Sequence, residues 1–241
     1  MLKEIKQFYE KTKLKEVEAP NNGENIPVEY IHIFQKNYPR LPSIKLRREP
    51  FDGEFEKLLK IRRSTRDFSE TPVPISAVSN MLKSCSIIGN GSTRRTYPSA
   101  GARYPIELYL IAFNIEGIAR GVYHFNSSKF TLELLLLQDL RSQEAEIVCP
   151  YLKNTGGAFI FTSVVSRSEV KYKYKAYPYS LIEAGHMAQN VILAACKYGV
   201  GICPVGGFIN DYVSRLLDLS EEEQPLYVLG FGKPRHDNNK K

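Results

Sequence analysis

Apolar residues recur along this chain with two periods, one typical of helices and one typical of strands. Spacings of three and four residues predict helices over 3–17, 54–63, 74–87, 140–152, 180–198 and 211–217. Short runs rich in aliphatic and aromatic residues predict strands over 106–114, 121–125, 129–136, 158–165 and 226–231. The second and third of these strands are expected to form a hairpin about residues 126–128. Such a mixture of helices and strands indicates an α+β or α/β protein.

The segment 180–198 carries the strongest helical pattern. Its apolar residues cover more than one stripe of the helix surface, which predicts burial on several sides, in the core and at a subunit interface. Ser180 is expected to cap the N-terminus, with Glu183 at the capping-box position. Gly199 lies just past the expected C-terminus, where glycine is favoured.

The two ends of the chain differ in pattern from its centre. Residues 19–24 are expected to form a loop, and three prolines within 38–50 predict an extended arm. The last six residues, 236–241, are polar and are expected to fray. We therefore expect an N-terminal extension and arm over 1–50, a main domain over 51–235 and a polar tail over 236–241.

Composition excludes several classes of protein. Of the 241 residues, 43% are hydrophobic and 24% are charged, which is ordinary for a globular chain and not for a disordered one. The apolar runs are far shorter than the ~20 residues of a membrane span, and the first residues lack the apolar core of a signal peptide. We therefore expect a cytoplasmic protein with no membrane partner. Four dispersed cysteines and four dispersed histidines offer no metal-ligand spacing, and the cysteines are expected to be free thiols.

The chain carries a net charge of +7 without one long basic run. Such an excess attracts anions, but no nucleic-acid motif accompanies it, and we expect no nucleic-acid partner. The densest cluster is Arg62-Arg63-Ser64-Thr65-Arg66, which sets three guanidinium groups beside two hydroxyls. Arginine binds phosphate oxygens in pairs, so this segment could hold a phosphate. A charged helix end is the alternative interpretation.

Small residues form two loops in which a backbone could lie close to a flat or anionic ligand. The first is Pro98-Ser99-Ala100-Gly101, and the second contains Gly206-Gly207, whose amides would be bare. Each could equally be an ordinary turn. The last predicted strand is followed by Lys233 and Arg235, which add two cations.

A third segment mixes cations with tyrosines: Arg167, Lys171, Tyr172 and Lys175. A lysine or tyrosine among other cations can transfer protons, because neighbouring positive charge favours the neutral amine and the phenolate. The alternative is a solvated basic loop.

Taken in order, these fragments resemble the FMN-dependent nitroreductase superfamily. The resemblance rests on Arg-Arg-Ser-x-Arg-x-Phe at 62–68, Pro-Ser-x-Gly at 98–101, Gly-His-x-x-Gln-Asn at 185–190, Pro-x-Gly-Gly at 204–207 and Gly-x-Gly-Lys-Pro-Arg at 230–235. The stretches 98–107, 121–125 and 167–179 are most similar to the SagB-type dehydrogenases, which include the azoline dehydrogenases of microcin-like and streptolysin-like synthetases. The resemblance implies an α+β nitroreductase-like fold, with a central, mostly antiparallel sheet flanked by helices. It also implies a homodimer with FMN at the interface and an FMN-binding domain over 51–235.

The resemblance also implies a role for each candidate residue. Arg62, Arg63, Ser64 and Arg66 would hold the FMN phosphate and ribityl chain, with Lys233 and Arg235 closing the phosphate site. Pro98, Ser99 and Gly101 would reach the flavin from the other subunit, and Gly206 and Gly207 would place amides near its ring. Lys171 and Tyr172 match the catalytic Lys-Tyr pair of the azoline dehydrogenases.

The implied activity is oxidation of a peptide thiazoline or oxazoline to the thiazole or oxazole, with FMN as electron acceptor and no metal. The substrate would be a ribosomally made precursor peptide, and separate cyclodehydratase proteins would form the ring. Two alternatives remain open at this point: a nitro- or quinone reductase supplied with NAD(P)H, and a flavin-holding subunit that mainly assembles a synthetase.

Overall fold

Six antiparallel strands form the central sheet of the molecule. The structure, a computed structural model, describes residues 2–16, 35–89 and 92–235. Its strands are β2 (Ile106–Ala112), β4 (Gly121–Asn126), β5 (Thr131–Leu137), β6 (Gly157–Val164), β7 (Gly201–Val205) and β8 (Glu223–Gly232). Within the described residues the sheet has the order β5-β4-β2-β6-β8-β7, and each neighbouring pair is antiparallel. Two short strands, β1 (Val73–Pro74) and β3 (Ile115–Glu116), form a separate parallel pair.

Helices cover both faces of this sheet. They are α1 (Lys3–Thr12), α2 (Glu54–Ile61), α3 (Ile75–Lys83), α4 (Glu144–Val148), α5 (Ser166–Tyr172), α6 (Ala176–Lys197) and α7 (Asn210–Leu216). The long helix α6 and α3 pack on one face, where Leu108 and Leu110 of β2 point. The α4 and α7 helices pack on the other face, against Tyr109 and Ile111. Because both faces are buried, β2 is apolar at nearly every position and does not alternate with polar residues.

Each end of the sheet coincides with one end of strand β6. At the Gly157 end, β6 begins opposite Phe231 near the end of β8, and Gly232 pairs with Gly201 at the start of β7. At the Val164 end, β6 finishes opposite Glu223, and the preceding Ser163 pairs with Ile106 at the start of β2. The eight residues of β6 run from one end to the other, which corresponds to about 25 Å of extended chain.

The N-terminal helix α1 packs at the Val164 end of the body. Ile5 and Tyr9 are buried against Val165 and Tyr177, and the Tyr9 hydroxyl donates to the carbonyl of Pro225 at 3.3 Å. Residues 38–50 are exposed and contain neither helix nor strand, as expected of an extended arm. The predicted loop at 19–24 and the polar tail at 236–241 lie outside the described residues. The division of the chain at residues 50 and 235 stays a prediction.

Most predicted elements are confirmed, with bounds shifted by a few residues. The hairpin turn is held by the Asn126 side chain, whose Oδ1 accepts from the amides of Ser128 and Lys129 at 3.2 and 3.1 Å. The helix predicted over 3–17 ends at Thr12, and the one predicted over 74–87 ends at Lys83. In the segment 140–152, only Glu144–Val148 is α-helical, after a short 3₁₀ turn.

The predicted start of the long helix was wrong. It begins at Ala176, and Ser180 lies inside it, where its hydroxyl donates to the Ala176 carbonyl at 3.0 Å instead of capping the terminus. Pro178 stands in the first turn, where the missing amide hydrogen has no helical partner to lose. Gly199 follows the C-terminus with φ +65°, as predicted.

Candidate functional site

The arginine-rich segment after α2 lies along the Gly157 end of the sheet. The amide of Thr65 donates to the Ile202 carbonyl at 2.9 Å, and the amide of Ser69 donates to the Lys233 carbonyl at 2.8 Å. Phe68 forms an isolated bridge with Pro234. These contacts bring together the two backbone segments, 62–68 and 233–235, that carry six predicted site residues, here called the basic cluster: Arg62, Arg63, Ser64, Arg66, Lys233 and Arg235.

Two glycines of the sheet make this approach possible. A Cβ atom on Gly201 would lie 2.8 Å from the methyl carbon of Thr65, and one on Gly232 would lie 2.8 Å from the ring of Phe68. Both distances are shorter than real Cβ contacts, so any side chain here would force the segment away from β7 and β8. The backbone of the arginine segment therefore packs directly on the strand ends.

The basic cluster keeps a net positive charge. Residues 62–68 and 233–235 contain five cations and one carboxylate, that of Asp67. Asp67 is ion-paired with Arg235 at 3.0 Å, and both side chains are about half exposed. Four cations and the half-buried Ser64 remain beside that pair, which is the donor set that a phosphate dianion requires.

Gly206 and Gly207 lie at the other end of β7. A Cβ atom on Gly206 would meet nothing within 4 Å, and one on Gly207 would meet only the side chain of Leu14, at 3.8 Å. The described residues thus leave open space beside both backbones. The five residues of β7 separate this glycine pair from the basic cluster by about 17 Å.

A second group of predicted residues meets at the Val164 end. Gly101 lies in the loop before β2 with φ +57°, in the left-handed region that favours glycine. A Cβ atom on Gly101 would lie 2.5 Å from the Tyr172 hydroxyl and 3.1 Å from Lys171 Nζ. The structure therefore brings Gly101, Lys171 and Tyr172 together, and we call these three residues the Lys-Tyr group.

The Lys-Tyr group presents an amine and a phenol side by side. Lys171 Nζ lies 5.4 Å from the centre of the Tyr172 ring, and that ring packs edge-on against Tyr179 with centres 5.1 Å apart. Lys171 is exposed and Tyr172 is half-buried, so a substrate can reach both. Lys173, with φ +50°, terminates α5 immediately after the pair.

Arg167 does not act as the free neighbouring cation that the sequence suggested. Its guanidinium is ion-paired with the Glu107 carboxylate and also donates to the Tyr104 carbonyl at 3.3 Å. Its charge is therefore compensated, and it contributes less positive potential at Lys171 than a free arginine would. The segment that carries it is the helix α5, which was missed in a stretch interpreted as either a solvated loop or a reactive site.

A buried carboxyl that sequence reasoning missed, that of Glu183 on α6, lies near Ser99. The Ser99 Oγ accepts from the Tyr104 amide at 2.9 Å, and Glu183 Oε1 has no hydrogen-bond partner among the described residues. Glu183 is 2% exposed, and this burial raises its pKa to about 7, against the opposing effects of Ser99 and Arg95. The signal in the sequence was a single carboxylate among the apolar residues of a helix, which was interpreted as part of a cap.

Asn190, the last residue of the Gly-His-x-x-Gln-Asn motif, has a structural contact. Its side-chain amide donates to the carbonyls of Ser84 and Thr96, at 3.2 Å each. These two hydrogen bonds attach helix α6 to the end of α3 and to Thr96, three residues before Ser99. Pro98, the residue before Ser99, is exposed.

Comparison with known proteins shows which family has this fold. The model of the nitroreductase family matches residues 59–233, which is more than half of the chain and includes the Lys-Tyr group and most of the basic cluster. The chain belongs to the nitroreductase family. The predicted resemblance to the nitroreductase superfamily is confirmed, and so is the α+β fold with its antiparallel sheet.

Three similarities within and around the nitroreductase family are informative. The microcin B17-processing protein McbC of Escherichia coli is 31% identical over 61% of this chain and 57% of its own length. The FMN reductase (NADPH) of Bacillus subtilis is 27% identical over 74% of this chain and 65% of its own length. The chain thus spans less than two thirds of either relative. Among solved structures, that of the E. coli microcin synthetase complex McbBCD, with truncated pro-MccB17 bound, covers 96% of this chain and 92% of its own, with TM-score 0.80 and 23% identity.

As a nitroreductase-family protein, the chain is an FMN-dependent oxidoreductase. The structure fits that cofactor: the basic cluster has the net positive charge a phosphate requires, and open backbone at Gly206-Gly207 lies one strand length away. Over the described parts of the chain, no group of His, Cys, Asp or Glu side chains could hold a metal ion. No helix among residues 2–16, 35–89 and 92–235 is long and apolar enough to cross a membrane.

Proposed function

We propose that this protein oxidises thiazolines or oxazolines in a peptide to thiazoles or oxazoles. The Lys-Tyr group carries the proposal, because it holds an amine and a phenol together against the Gly101 loop. The similarity to the microcin B17-processing protein McbC supports a peptide substrate. The substrate would be a ribosomally made precursor whose rings separate cyclodehydratase proteins have already closed.

The reaction removes one proton and one hydride equivalent from the ring. When bound, FMN accepts the hydride equivalent and with it the two electrons. Lys171 Nζ or Tyr172 Oη takes the proton from ring carbon, and the other group orients the ring by a hydrogen bond. Dioxygen is the final electron acceptor, and it takes the two electrons and two protons as hydrogen peroxide.

The basic cluster is proposed to hold FMN by its phosphate. The guanidinium groups of Arg62, Arg63 and Arg66 would donate to phosphate oxygens, and Lys233 and Arg235 would close the site. The Ser64 hydroxyl would donate toward the phosphate or the ribityl chain. The amides at Gly206 and Gly207 would lie at the ring system, where hydrogen bonds to acceptor atoms raise its electron affinity.

Pro98, Ser99 and Gly101 are proposed to contact the flavin of a second copy in a homodimer. The basic cluster lies at the Gly157 end of the sheet and the Lys-Tyr group at the Val164 end, about 25 Å away along β6. FMN bound along β7 would extend from the basic cluster only as far as Gly206-Gly207. A twofold dimer would complete each site by bringing in the partner's Lys-Tyr group.

Subunit complementation tests this arrangement. Arg62→Ala/Lys233→Ala disables one half of a site, and Tyr172→Phe disables the other half. In a co-expressed equal mixture, about half of the dimers are mixed, and each mixed dimer has one intact site, so about a quarter of wild-type activity should appear. A mixture as inactive as its parents would mean that each site lies within one chain. A monomer in sedimentation with FMN still bound would refute the dimer.

Mass spectrometry tests the activity itself. A precursor peptide treated with a cyclodehydratase should lose the mass of two hydrogen atoms per ring when this protein, FMN and dioxygen are added. The Lys171→Ala/Tyr172→Phe variant is the control, because it should leave the azoline unchanged. If that variant is as active as the wild type, the Lys-Tyr group is not the catalytic site. If the wild type itself leaves the azoline peptide unchanged, the azoline assignment fails.

A second candidate is an NAD(P)H-dependent nitro- or quinone reductase, which the similarity to the FMN reductase (NADPH) of B. subtilis supports. The flavin half-reaction separates the two. Rapid bleaching of the flavin absorbance by NADPH without oxygen supports the reductase. Bleaching by azoline peptide but not by NADPH supports the dehydrogenase.

A further inference from the structure

Packing alone does not determine the position of helix α5, which carries Lys171 and Tyr172. Of its seven residues only Ser168 is buried, and the apolar side chain of Val170 is 84% exposed. Helices this short are unstable by themselves and take their stability from tertiary contacts. With so little apolar burial, the contacts that hold α5 must include its polar ones.

Three of those polar contacts are made by Arg167, one helical turn before Lys171. Arg167 is ion-paired with Glu107 of β2 and donates to the Tyr104 carbonyl. Its own carbonyl accepts from Arg103 Nε at 2.8 Å. Residues four apart share one face of a helix, so the contacts at Arg167 and the approach of Lys171 to Gly101 hold the same face of α5 against the segment 101–107.

Glu107 is in turn fixed by the sheet. Its Oε2 lies 3.0 Å from His124 Nε2 on β4, and His124 Nδ1 lies 3.1 Å from the Glu133 carboxylate on β5. Burial would raise the pKa of Glu107, but hydrogen bonds from His124 and Arg167 outweigh it and hold that pKa below its ordinary value. Glu107 therefore stays ionised at neutral pH, and its hydrogen-bond network joins three adjacent strands, β2, β4 and β5.

We infer that Glu107 is a positioning residue, which through Arg167 places the helix α5 and sets Lys171 and Tyr172 against Gly101. Glu107 does not touch the reacting atoms. Loss of the carboxylate leaves the guanidinium of Arg167 without its ionic partner and frees the N-terminal part of α5. The effect on catalysis rests on the proposed function, whereas the effect on α5 does not.

The experiment compares Glu107→Gln, Arg167→Gln and the double variant with wild type. The control is Asp139→Asn, which removes the exposed ion pair between Asp139 and Arg120, far from α5 in the sequence and outside both groups. Hydrogen–deuterium exchange is measured over residues 166–172, together with FMN content, kcat and KM for azoline peptide. Arg167→Gln alters only an exposed helix residue, so it tests the inference even if Glu107→Gln folds poorly.

Each single variant should speed exchange in α5 and lower kcat by about ten- to a hundredfold, with KM changed by less than about threefold. The double variant should be no worse than the more affected single variant, because both changes remove the same contact. Asp139→Asn should match wild type in both readouts. Wild-type exchange in both single variants would overturn the inference. If exchange over 166–172 is faster in the variants but the wild type itself oxidises no azoline, the inference about Glu107 stands and the proposed function is refuted.

Discussion

Replacing Gly101 by alanine tests whether the contact with Tyr172 and Lys171 matters for turnover. The new methyl group would lie 2.5 Å from the Tyr172 hydroxyl, whereas ordinary contacts begin near 3.4 Å. The hydroxyl is the outer end of its side chain, so it can yield by about 1 Å without disrupting the core. The atom that yields is, however, one of the two proposed to meet the substrate.

Gly199→Ala is the matched control. Gly199 also has positive φ, +65°, but a Cβ atom there meets nothing within 4 Å. A left-handed conformation costs a non-glycine residue about 1–2 kcal/mol, so both variants should unfold at temperatures lower by a similar amount. For a chain of this size the change is roughly 2–4 °C per kcal/mol.

The two variants should differ in rate. A displacement of about 1 Å in a reacting group lowers turnover by about a hundredfold, so Gly101→Ala should show that loss while Gly199→Ala keeps the wild-type rate. The assay combines azoline oxidation at saturating peptide, FMN content by absorbance, and thermal unfolding. Rates are compared per bound FMN, because Gly101 is itself proposed to contact the flavin. Equal rates per bound FMN in the two variants would refute the placement of Tyr172 at the reacting ring.

Three further predictions concern individual groups of the site. Tyr172→Phe and Lys171→Ala should each keep FMN but slow azoline oxidation by about two to four powers of ten, and near-wild-type turnover in either variant would show that its residue is not the base. Arg62→Ala with Lys233→Ala removes two charge-assisted bonds of about 1.5–3 kcal/mol each, so FMN titration should show affinity weaker by roughly a hundredfold or more, and unchanged affinity would place the phosphate elsewhere. Burial raises the pKa of Glu183 from its ordinary 4.5 to about 7, so the folded protein favours the protonated carboxyl. Its contribution to the free energy of unfolding is fully present below pH 4.5 and is lost as pH rises through 7. Glu183→Gln should therefore raise the free energy of unfolding at pH 8 by about 3 kcal/mol and flatten its pH dependence in urea titrations; an unchanged slope would contradict this.

The buried strands were predictable because their residues are apolar in unbroken runs. Strand β7 was not, because Pro204 and the glycines after it suggested a turn. The sheet order explains the error: β7 is an edge strand, and an edge strand tolerates a proline that has no amide hydrogen to donate. Edge position is a property of the whole sheet and leaves no local mark in the sequence.

Helix α5 and the start of α6 were missed for a related reason. The segment 166–172 has no apolar stripe, and a tertiary ion pair between Arg167 and Glu107 holds it in place. The capping pattern of Ser180 and Glu183 suggested a later start for the long helix, although its first turn accommodates Pro178. Local periodicity cannot report either feature.

The members of the site could be proposed from sequence order, but the separation of Lys171 and Tyr172 from the basic cluster could not. Motifs name residues without distances, so they do not tell how far Lys171 lies from Arg62. Strand register separates them, because Lys233 follows the end of β8 and Gly101 precedes the start of β2. Glu107 and Glu183 were not proposed as site residues because their roles depend on contacts with other elements.

The opposite placement of the two groups couples assembly to cofactor retention in the proposed dimer. If each flavin is held by residues of both copies, FMN binds the dimer more tightly than the separated chain, and by mass action it also tightens the dimer. Flavin release on dilution would then follow chain concentration as well as FMN concentration. A cell that makes little of this protein would hold much of it as colourless single chains, and oxidation would switch on steeply as expression rises.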